Sequence, residues 1–484
     1  MLPAPNGTLQ ISETPTALAN RDSNTLYKNI ELLQKYKRVI QLEMNEISKP
    51  IIDSLIAQNK LPNFAKINQE WAFYKTVSEE KSENCEPWIQ WVTVHTGKTL
   101  AEHQISHLGD AQHLKCIQIF EKLSEHGIQS AIVGSMNVTR RYTKGGFFLP
   151  DPWSSGQDCF PPKIKPLWNL ISKAVQKHDA SRLPLKELVR AMQVCIDLHL
   201  PLNIYVKIFY QLIYQKIDPL LKWKAVGIFD CFLAEIFKKI LVSTDFGFYT
   251  LFLNSVAHYQ HHYWRNQYRT GFDPTIKYTD CHEFDNPVEY GYKLYDSILG
   301  EILDLANRSD TLVIITSGLS QTPFREKESE GGINYYRLRK HQKFIQHIGL
   351  HNMKVYPLMS RDWKISSDTP TKIENAIRIL NGLTVAGETL FKITQNQPNC
   401  LFIETAIEKH IPDDADIIDC DGKIITKFGD AFMNIAIKSG HHTGIGYLWI
   451  SENLSLVEKQ LSEYIRLTNL YDLPIQALIS SPNT

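Results

Sequence analysis

Three absences bound what these 484 residues can be. There is no net charge, since 52 Lys and Arg stand against 52 Asp and Glu. No global field therefore gathers nucleic acid or an anionic membrane, and only local patches remain open to such partners. There are no paired cysteines. Cys85, Cys116, Cys159, Cys195, Cys231, Cys281, Cys400 and Cys420 are scattered without a CxxC, which excludes zinc-finger spacing, and a chain this long needs no disulfide framework. They read as reduced, buried thiols. Long apolar runs are also missing, because Lys and Asp repeatedly interrupt 203–254, and none reaches the roughly 20 residues of a membrane span. The first residues are rich in Pro, Asn, Thr and Ser, with no basic stretch leading into an apolar one, so no secretory signal is visible. The expectation is a soluble, cytoplasmic chain with no membrane span and no nucleic-acid partner.

What is present is the composition of a globular protein: 43% hydrophobic and 21% charged, with the aromatics concentrated in 204–268. The length suits one large domain with an insertion, or two. Residues 1–25 are polar and turn-rich and are expected to form a mobile tail. Strand and helix signals then alternate. RVIQLEM (38–44) is an apolar run ending in polar residues, as a buried parallel strand feeding a functional loop would be. SKPIIDSLIAQ reads as a helix with Ser48 at its N-cap and Pro50 in its first turn. An amphipathic helix is expected over 111–127, a helix over 288–307, and strands at 129–136, 248–253 and 311–317. CLFIETAIE and 446–451 are further strand candidates. This alternation predicts an α/β fold, a mostly parallel central sheet sandwiched by helices, over 26–162 and 243–484. Residues 163–242 carry only helical spacing. They read as a helical insertion, either a cap over the sheet's functional edge or further core scaffold.

Ligands of open α/β sheets bind beyond the carboxyl ends of the strands, so polar residues there are the candidates. Glu43, Asn45 and Glu46 close the strand 38–44. Alternation puts Glu43 and Asn45 on one face, where a hard cation or an Arg would justify a buried acid. Alternatively, Glu43 pairs with a core Arg and Asn45 only shapes the turn. CEPWIQWVTVHTGKTLAEH (85–103) reads as a loop entering a helix. Thr93 and Thr96 are hydroxyls that a metal at a helix N-terminus could activate, or else helix-packing residues. NSVAHYQHHYWRNQYR (254–269) holds His258, His261, His262, Arg265 and Arg269 after an apolar strand. His258 and His262 are spaced as two metal ligands or as a general acid and base, and Arg265 suits a substrate anion. TSGLSQTPF offers Ser317, Ser320 and Gln321, and SGHHTGIG offers His441 and His442.

In this order, these segments resemble the alkaline phosphatase superfamily, in particular its phosphodiesterase and nucleotide-pyrophosphatase branch. RVIQLEMNEISKPIIDSLIAQNKLPNFAKI is similar to the family's opening strand, metal Asp, helix and K-L-P-N turn. HTGKTLAEHQI resembles the segment after the nucleophile, and DSILGEIL with TLVIITS the stretch running into an S-D-H metal motif. The resemblance implies divalent metal (Zn or Mn) held near Asn45, His258, His262 and His442, with Glu43 a further ligand suggested by its place on the strand. Several positions depart from it. Asn45 stands for the first Asp, His258 for another Asp, and Gly318–Leu319 for the Asp-His of S-D-H. The nucleophile position falls near Pro87 or Gln90, which leaves Thr93 as the nearest hydroxyl. The expected function is hydrolysis or transfer at a phosphoester with an altered metal site, using Thr93, His258 and Arg265 in catalysis and Gln90, Arg265 and Gln321 on a phosphorylated or glycan-type substrate. The alternative is a non-catalytic descendant that binds a phosphorylated or sugar ligand, or a protein partner.

Overall fold

Strand β1 (Arg38–Met44) is buried along its whole length and lies between two parallel neighbours, β5 (Phe248–Leu253) and β6 (Thr311–Thr316). Both neighbours are themselves buried throughout, which is why all three read as continuous apolar runs. This computed structural model describes residues 36–141, 143–154, 157–176, 184–268, 272–276, 281–307, 309–358, 361–451 and 464–479. The expected tail 1–25 and Arg269 fall outside them.

The remaining strands of the central sheet are β2 (Ala72–Val77), β3 (Ser130–Val133), β4 (Phe147–Leu149), β11 (Ile445–Ile450) and β12 (Tyr464–Arg466), in the order β12-β2-β11-β6-β1-β5-β3-β4. Only β11 runs antiparallel to its neighbours, β2 and β6. The sheet is therefore largely parallel and the fold is mixed α/β, as expected from the alternation. Along β1, Ile40, Leu42 and Met44 enter one hydrophobic cluster and Val39 the other, so the strand's two faces feed two separate layers.

Helices cover both faces. On one side are α1 (Lys49–Ala57), α2 (Pro62–Glu70), α7 (Lys224–Ser243), α8 (Ser255–Gln267) and α9 (Pro287–Leu305), whose buried residues join the cluster of Ile40 and Leu42. Ser48 is the N-cap residue of α1, as expected, although its hydroxyl makes no capping bond. On the other side, α3 (Pro87–Thr96) brings Trp91 and Val94 to Val39. The described residues of 163–242 are mainly helical: α4 (Lys165–Gln176), α5 (Leu185–Asp197), α6 (Leu202–Ile217) and α7. α7 lies against β5, with the rings of Phe237 and Tyr249 6.4 Å apart edge to face.

Two segments differ from expectation. Residues 111–127 form a 3-10 turn at Ala111–His113 and a helix only from Ile119 to Glu125. Gln118 starts that helix with a capping box to Glu121, which ends any continuity with the turn before it. CLFIETAIE supplies a strand, Cys400–Thr405, but in a separate four-stranded antiparallel sheet with Lys354–Pro357, Trp363–Ser366 and Phe391–Gln397. That sheet belongs to a second lobe with its own core, which includes Trp363, Ile365, Leu401 and Ile403. β8 (Asn334–Leu338) and β9 (Phe432–Ile437) pair at its two ends. The lobe is joined to the main sheet by a two-stranded ribbon of β7 (Ser320–Pro323) and β10 (Gly440–Thr443).

Candidate functional site

Beyond the carboxyl end of β1 the chain turns sharply at Glu46, whose φ of 59° is left-handed. That conformation is uncommon for a residue with a Cβ. It carries the carboxylate out of the strand's alternation and toward α8 and the β7–β10 ribbon. The main chain is fixed there, since Glu46 N donates to Ser317 O at 3.2 Å and Glu46 O accepts from Gln260 Nε2 at 2.7 Å. Three ligand atoms meet at this point. Glu46 Oε2 lies 3.1 Å from His261 Nε2 and 3.2 Å from His442 Nε2, and the two imidazole nitrogens are 3.1 Å apart.

The surrounding groups orient all three. Asn45 Nδ2 donates to Glu46 Oε1 at 2.8 Å, and Gln321 Nε2 donates to Glu46 Oε2. His261 Nδ1 is 3.3 Å from Gly440 O, and His442 Nδ1 is 3.5 Å from a carboxylate oxygen of Glu86. A neutral imidazole that gives its Nδ1 proton to such a partner presents a lone pair at Nε2. With both rings in that tautomer, three electron-rich atoms converge with no proton between them, and a cation answers that repulsion. Two imidazoles, a carboxylate and an open position are a familiar zinc donor set, and bonds of about 2.0–2.2 Å would separate tetrahedral ligands by about 3.3–3.6 Å. The observed triangle is a few tenths of an ångström tighter. Carbonyl and carboxylate partners behind the ring nitrogens are what metal-binding histidines commonly have. The residues fit a divalent metal, with zinc favoured over manganese by the two nitrogens.

A proton is the competing occupant. Burial opposes charge on Glu46, yet the imidazoles of His442 and His261 hold its carboxyl far below the ordinary carboxylate range. Burial likewise opposes charge on His442, but Glu46 and Glu86 lift it to about 9. A protonated His442 against ionised Glu46 is thus a self-consistent arrangement in the absence of metal.

The other expected residues are placed as follows. Asn45 touches the site only through its amide, whose nitrogen also donates to Asn254 Oδ1 at 2.8 Å and whose oxygen accepts from Trp91 Nε1 at 2.7 Å. Gln321 is brought to the site as a support for Glu46. Glu43 is buried on the α3 side, where His95 Nε2 approaches its Oε1 at 2.9 Å and Gln41 Nε2 donates to the same oxygen. Its expected partner was a cation or an Arg, and it meets a histidine instead. The rings of His258 and His262 are tilted against each other with centroids 4.1 Å apart, next to His261 on α8. Burial, and then the neighbouring histidines, push His258 down to about 4 and His262 well below the usual range. Both stay neutral at physiological pH, outside the triangle.

Arg265 is expected to face a substrate anion but spends its charge on Glu328 Oε1 at 3.0 Å, with Phe272 under its guanidinium. Gln90 lies wholly buried in α3, donating to Asn84 O at 3.2 Å, and its Oε1 has no partner among the described residues. The helix expected after the 85–103 loop begins earlier, at Pro87, and ends at Gly97, so Thr93 and Thr96 sit in its C-terminal half. Thr93 Oγ1 is 3.3 Å from Ile89 O and Thr96 Oγ1 2.7 Å from Val92 O. Neither is at the positive end of the helix dipole, where an anion would bind. The residue that caps that end is Glu86, which sequence reasoning missed.

No family model matches the sequence, and no curated protein matches it. Solved structures do. Phosphonoacetate hydrolase from Sinorhizobium meliloti 1021, in complex with phosphonoformate, is 11% identical, covering 92% of this chain and 96% of its own, with a TM-score of 0.43. Murine ectonucleotide pyrophosphatase/phosphodiesterase 5 is 10% identical over 93% and 97%, at 0.39. The wild-type alkaline phosphatase PafA is 10% identical over 90% and 94%, at 0.40. These names are of the kind the sequence resembles. At this identity and with TM-scores below 0.5, they give this chain no activity and no substrate.

Proposed function

We propose that the chain is a metal-dependent hydrolase or transferase acting on phosphoesters, with Glu46, His261 and His442 as the protein ligands of one divalent ion. The observation that carries this reading is the convergence of three ligand atoms within 3.2 Å of one another at the carboxyl end of β1. Bound there, the ion would supply Lewis-acid polarisation of a phosphoryl oxygen and make water more acidic. The chain's own groups have distinct tasks. Asn45 and Gln321 fix the Glu46 carboxylate by donating to its two oxygens. Glu86, behind the His442 ring and about one-third exposed, faces its Nδ1 and so favours the tautomer that presents Nε2 to the ion. With the Thr93 hydroxyl committed inside α3, direct attack by water is favoured over a phosphorylated side chain.

A second reading, a non-catalytic descendant that binds a phosphorylated ligand or a partner, is favoured by one observation. The Glu46–His442 pair is satisfied by a proton alone, with His442 lifted to about 9. Metal analysis of the purified protein, followed by hydrolysis of bis-p-nitrophenyl phosphate with Zn²⁺ or Mn²⁺, separates the two. The enzyme reading expects one bound ion per chain (about 1:1) and turnover lost in Glu46→Gln and His442→Ala. Absence of both metal and turnover, with His442→Ala indistinguishable from the parent, would sink it.

A further inference from the structure

Helices α5 and α6 each have two apolar sides. On α5, Ala191, Val194 and Cys195 are buried in the main hydrophobic cluster. Leu185, Leu188, Val189, Met192 and Ile196 are nevertheless exposed, from 40% for Met192 to 74% for Leu185. Their spacing of 3, 4, 7 and 11 residues from the first puts them along one side of the helix. On α6, Ile204 is buried, while Leu202, Val206, Phe209, Ile213 and Ile217 form a second outward stripe, from 36% for Ile213 to 76% for Leu202. The rings of Tyr210 and Tyr214 stack at 5.7 Å beside that stripe, each half exposed. Most of the exposed large hydrophobic residues of the described chain lie in these two consecutive helices.

The charge of this stretch is also distinct. Between residues 184 and 224 stand Lys186, Arg190, Lys207, Lys216, Lys222 and Lys224 against only Glu187, Asp197 and Asp218, in a chain balanced overall at 52 to 52. Two of those acids already have partners: Glu187 binds Lys173 and Asp218 meets His282. Lys186, Arg190, Lys207 and Lys216 are exposed, and each adjoins a residue of an apolar stripe. Apolar side chains flanked by long cationic ones are suited to an interface. The hydrocarbon enters the acyl boundary, the cations extend back to headgroup phosphates, and tyrosines sit at the level between. No helix of the described residues is long and apolar enough to cross a membrane, so such a helix would lie in the plane of the surface.

We propose that α5 and α6 form a docking face for an anionic lipid bilayer. A second copy of the chain is the rival occupant and is disfavoured by charge. An isologous contact sets each surface against its own copy, here bringing one basic excess against another. A bilayer rich in phosphatidylserine offers the opposite sign. This surface is separate from the Glu46 site and does not depend on what that site does.

The test is flotation of the full chain with vesicles of phosphatidylcholine alone and of phosphatidylcholine mixed with phosphatidylserine, with light scattering in parallel. The expected result is about tenfold stronger binding to the mixed vesicles, weakened by high salt. Binding should be lost in the Phe209→Glu, Ile213→Glu double variant. The Lys207→Glu, Lys216→Glu variant should bind both vesicle types equally and weakly. All four positions are exposed, so unchanged circular dichroism melts are expected, and metal content should match the parent. Failure of the parent to float with either vesicle overturns the proposal. So does a parental dimer that the Phe209→Glu, Ile213→Glu variant converts to monomer, which would give the face to a second copy.

Discussion

The indole N–H of Trp91 donates to the side-chain oxygen of Asn45 at 2.7 Å, across the gap between α3 and the end of β1. This bond fixes which way the amide points. With its oxygen committed to Trp91, Asn45 turns its nitrogen toward Glu46 and Asn254. A carboxylate in its place would accept from Trp91 equally well but would have nothing to donate. The residue that departs from the metal Asp of the resembled family thus has a coherent role, holding a different acid in place.

Asn45→Asp should therefore be harmful rather than restorative. It sets two carboxylates against each other at 2.8 Å and removes two donors from a buried site. We expect a loss of about 2–4 kcal/mol in denaturant melts. The loss should be larger at about pH 8 than at about pH 5, because one acid of such a pair holds its proton to higher pH. A variant as stable as the parent at both pH values would contradict this placement.

Metal should stabilise the fold. Protein stripped with a chelator and reloaded with zinc gains about 4 kcal/mol when free zinc exceeds its Kd a thousandfold, visible as a raised melting temperature. Glu46→Gln, His261→Ala and His442→Ala should each abolish the increment. His258→Ala, a residue outside the triangle, should keep it.

The metal-free protein has its own pH signature. Glu46 is depressed, so its contribution is present above its ordinary value of 4.5 and disappears as pH falls toward the folded value. His442 is raised, so its contribution is complete below 6.5 and is lost as pH climbs through about 9. Melting temperatures of the stripped protein should fall between those two pH values, and His442→Ala should flatten that limb. Zinc should flatten it as well, since a metal-bound imidazole is already neutral.

Asp230 offers a test at the start of α8, behind Asn254. Its buried carboxylate accepts the backbone N–H groups of Asn254 and Ser255 at the start of α8 and the hydroxyl of Tyr295. Burial raises it to about 6 in spite of those bonds. For an acid with a raised folded value, stability increases as pH falls through that value toward 3.8. Asp230→Asn should remove this slope while keeping an acceptor, whereas Asp230→Ala should cost about 2–4 kcal/mol by stranding the N–H groups.

Thr93→Val should leave any hydrolysis of bis-p-nitrophenyl phosphate unchanged and cost less than about 1.5 kcal/mol, because among the described residues its buried hydroxyl meets Ile89 O in its own helix and the His103 ring beyond it. Loss of turnover with intact folding would return Thr93 to the list of nucleophiles.

The strands were legible where burial on both faces leaves an unbroken apolar run, as in β1, β5 and β6. The site was legible as a set of strand ends but not as a set of side chains. Glu46 enters it through a left-handed turn, and no periodicity announces a positive φ at an acid. Along α8, His258 and His262 share the spacing that suggested a ligand pair, yet the helix's rotation turns the intervening His261 toward Glu46. Pairing by interval cannot tell which face of a helix meets a neighbour; only the packing of Tyr259, Tyr263 and Trp264 into the core decides that. Glu86 and the start of α3 at Pro87 are obscured because the hydroxyls of 85–103 stand out more than its proline, which is what marks the first helical turn. The strand 400–405 was readable as a strand, but nothing in its alternation says which sheet it joins.

The ribbon of β7 and β10 has a mechanical consequence. The second lobe leaves the main sheet through β7 and returns through β10, so its two tethers are the strands carrying Gln321 and His442, which face each other in the register. His441, the adjacent residue, lies against Thr322 and Phe324 instead. Neighbouring residues of a strand occupy opposite faces, so a one-residue slip between the tethers would exchange the two histidines. The register of the two tethers thus decides which imidazole confronts Glu46.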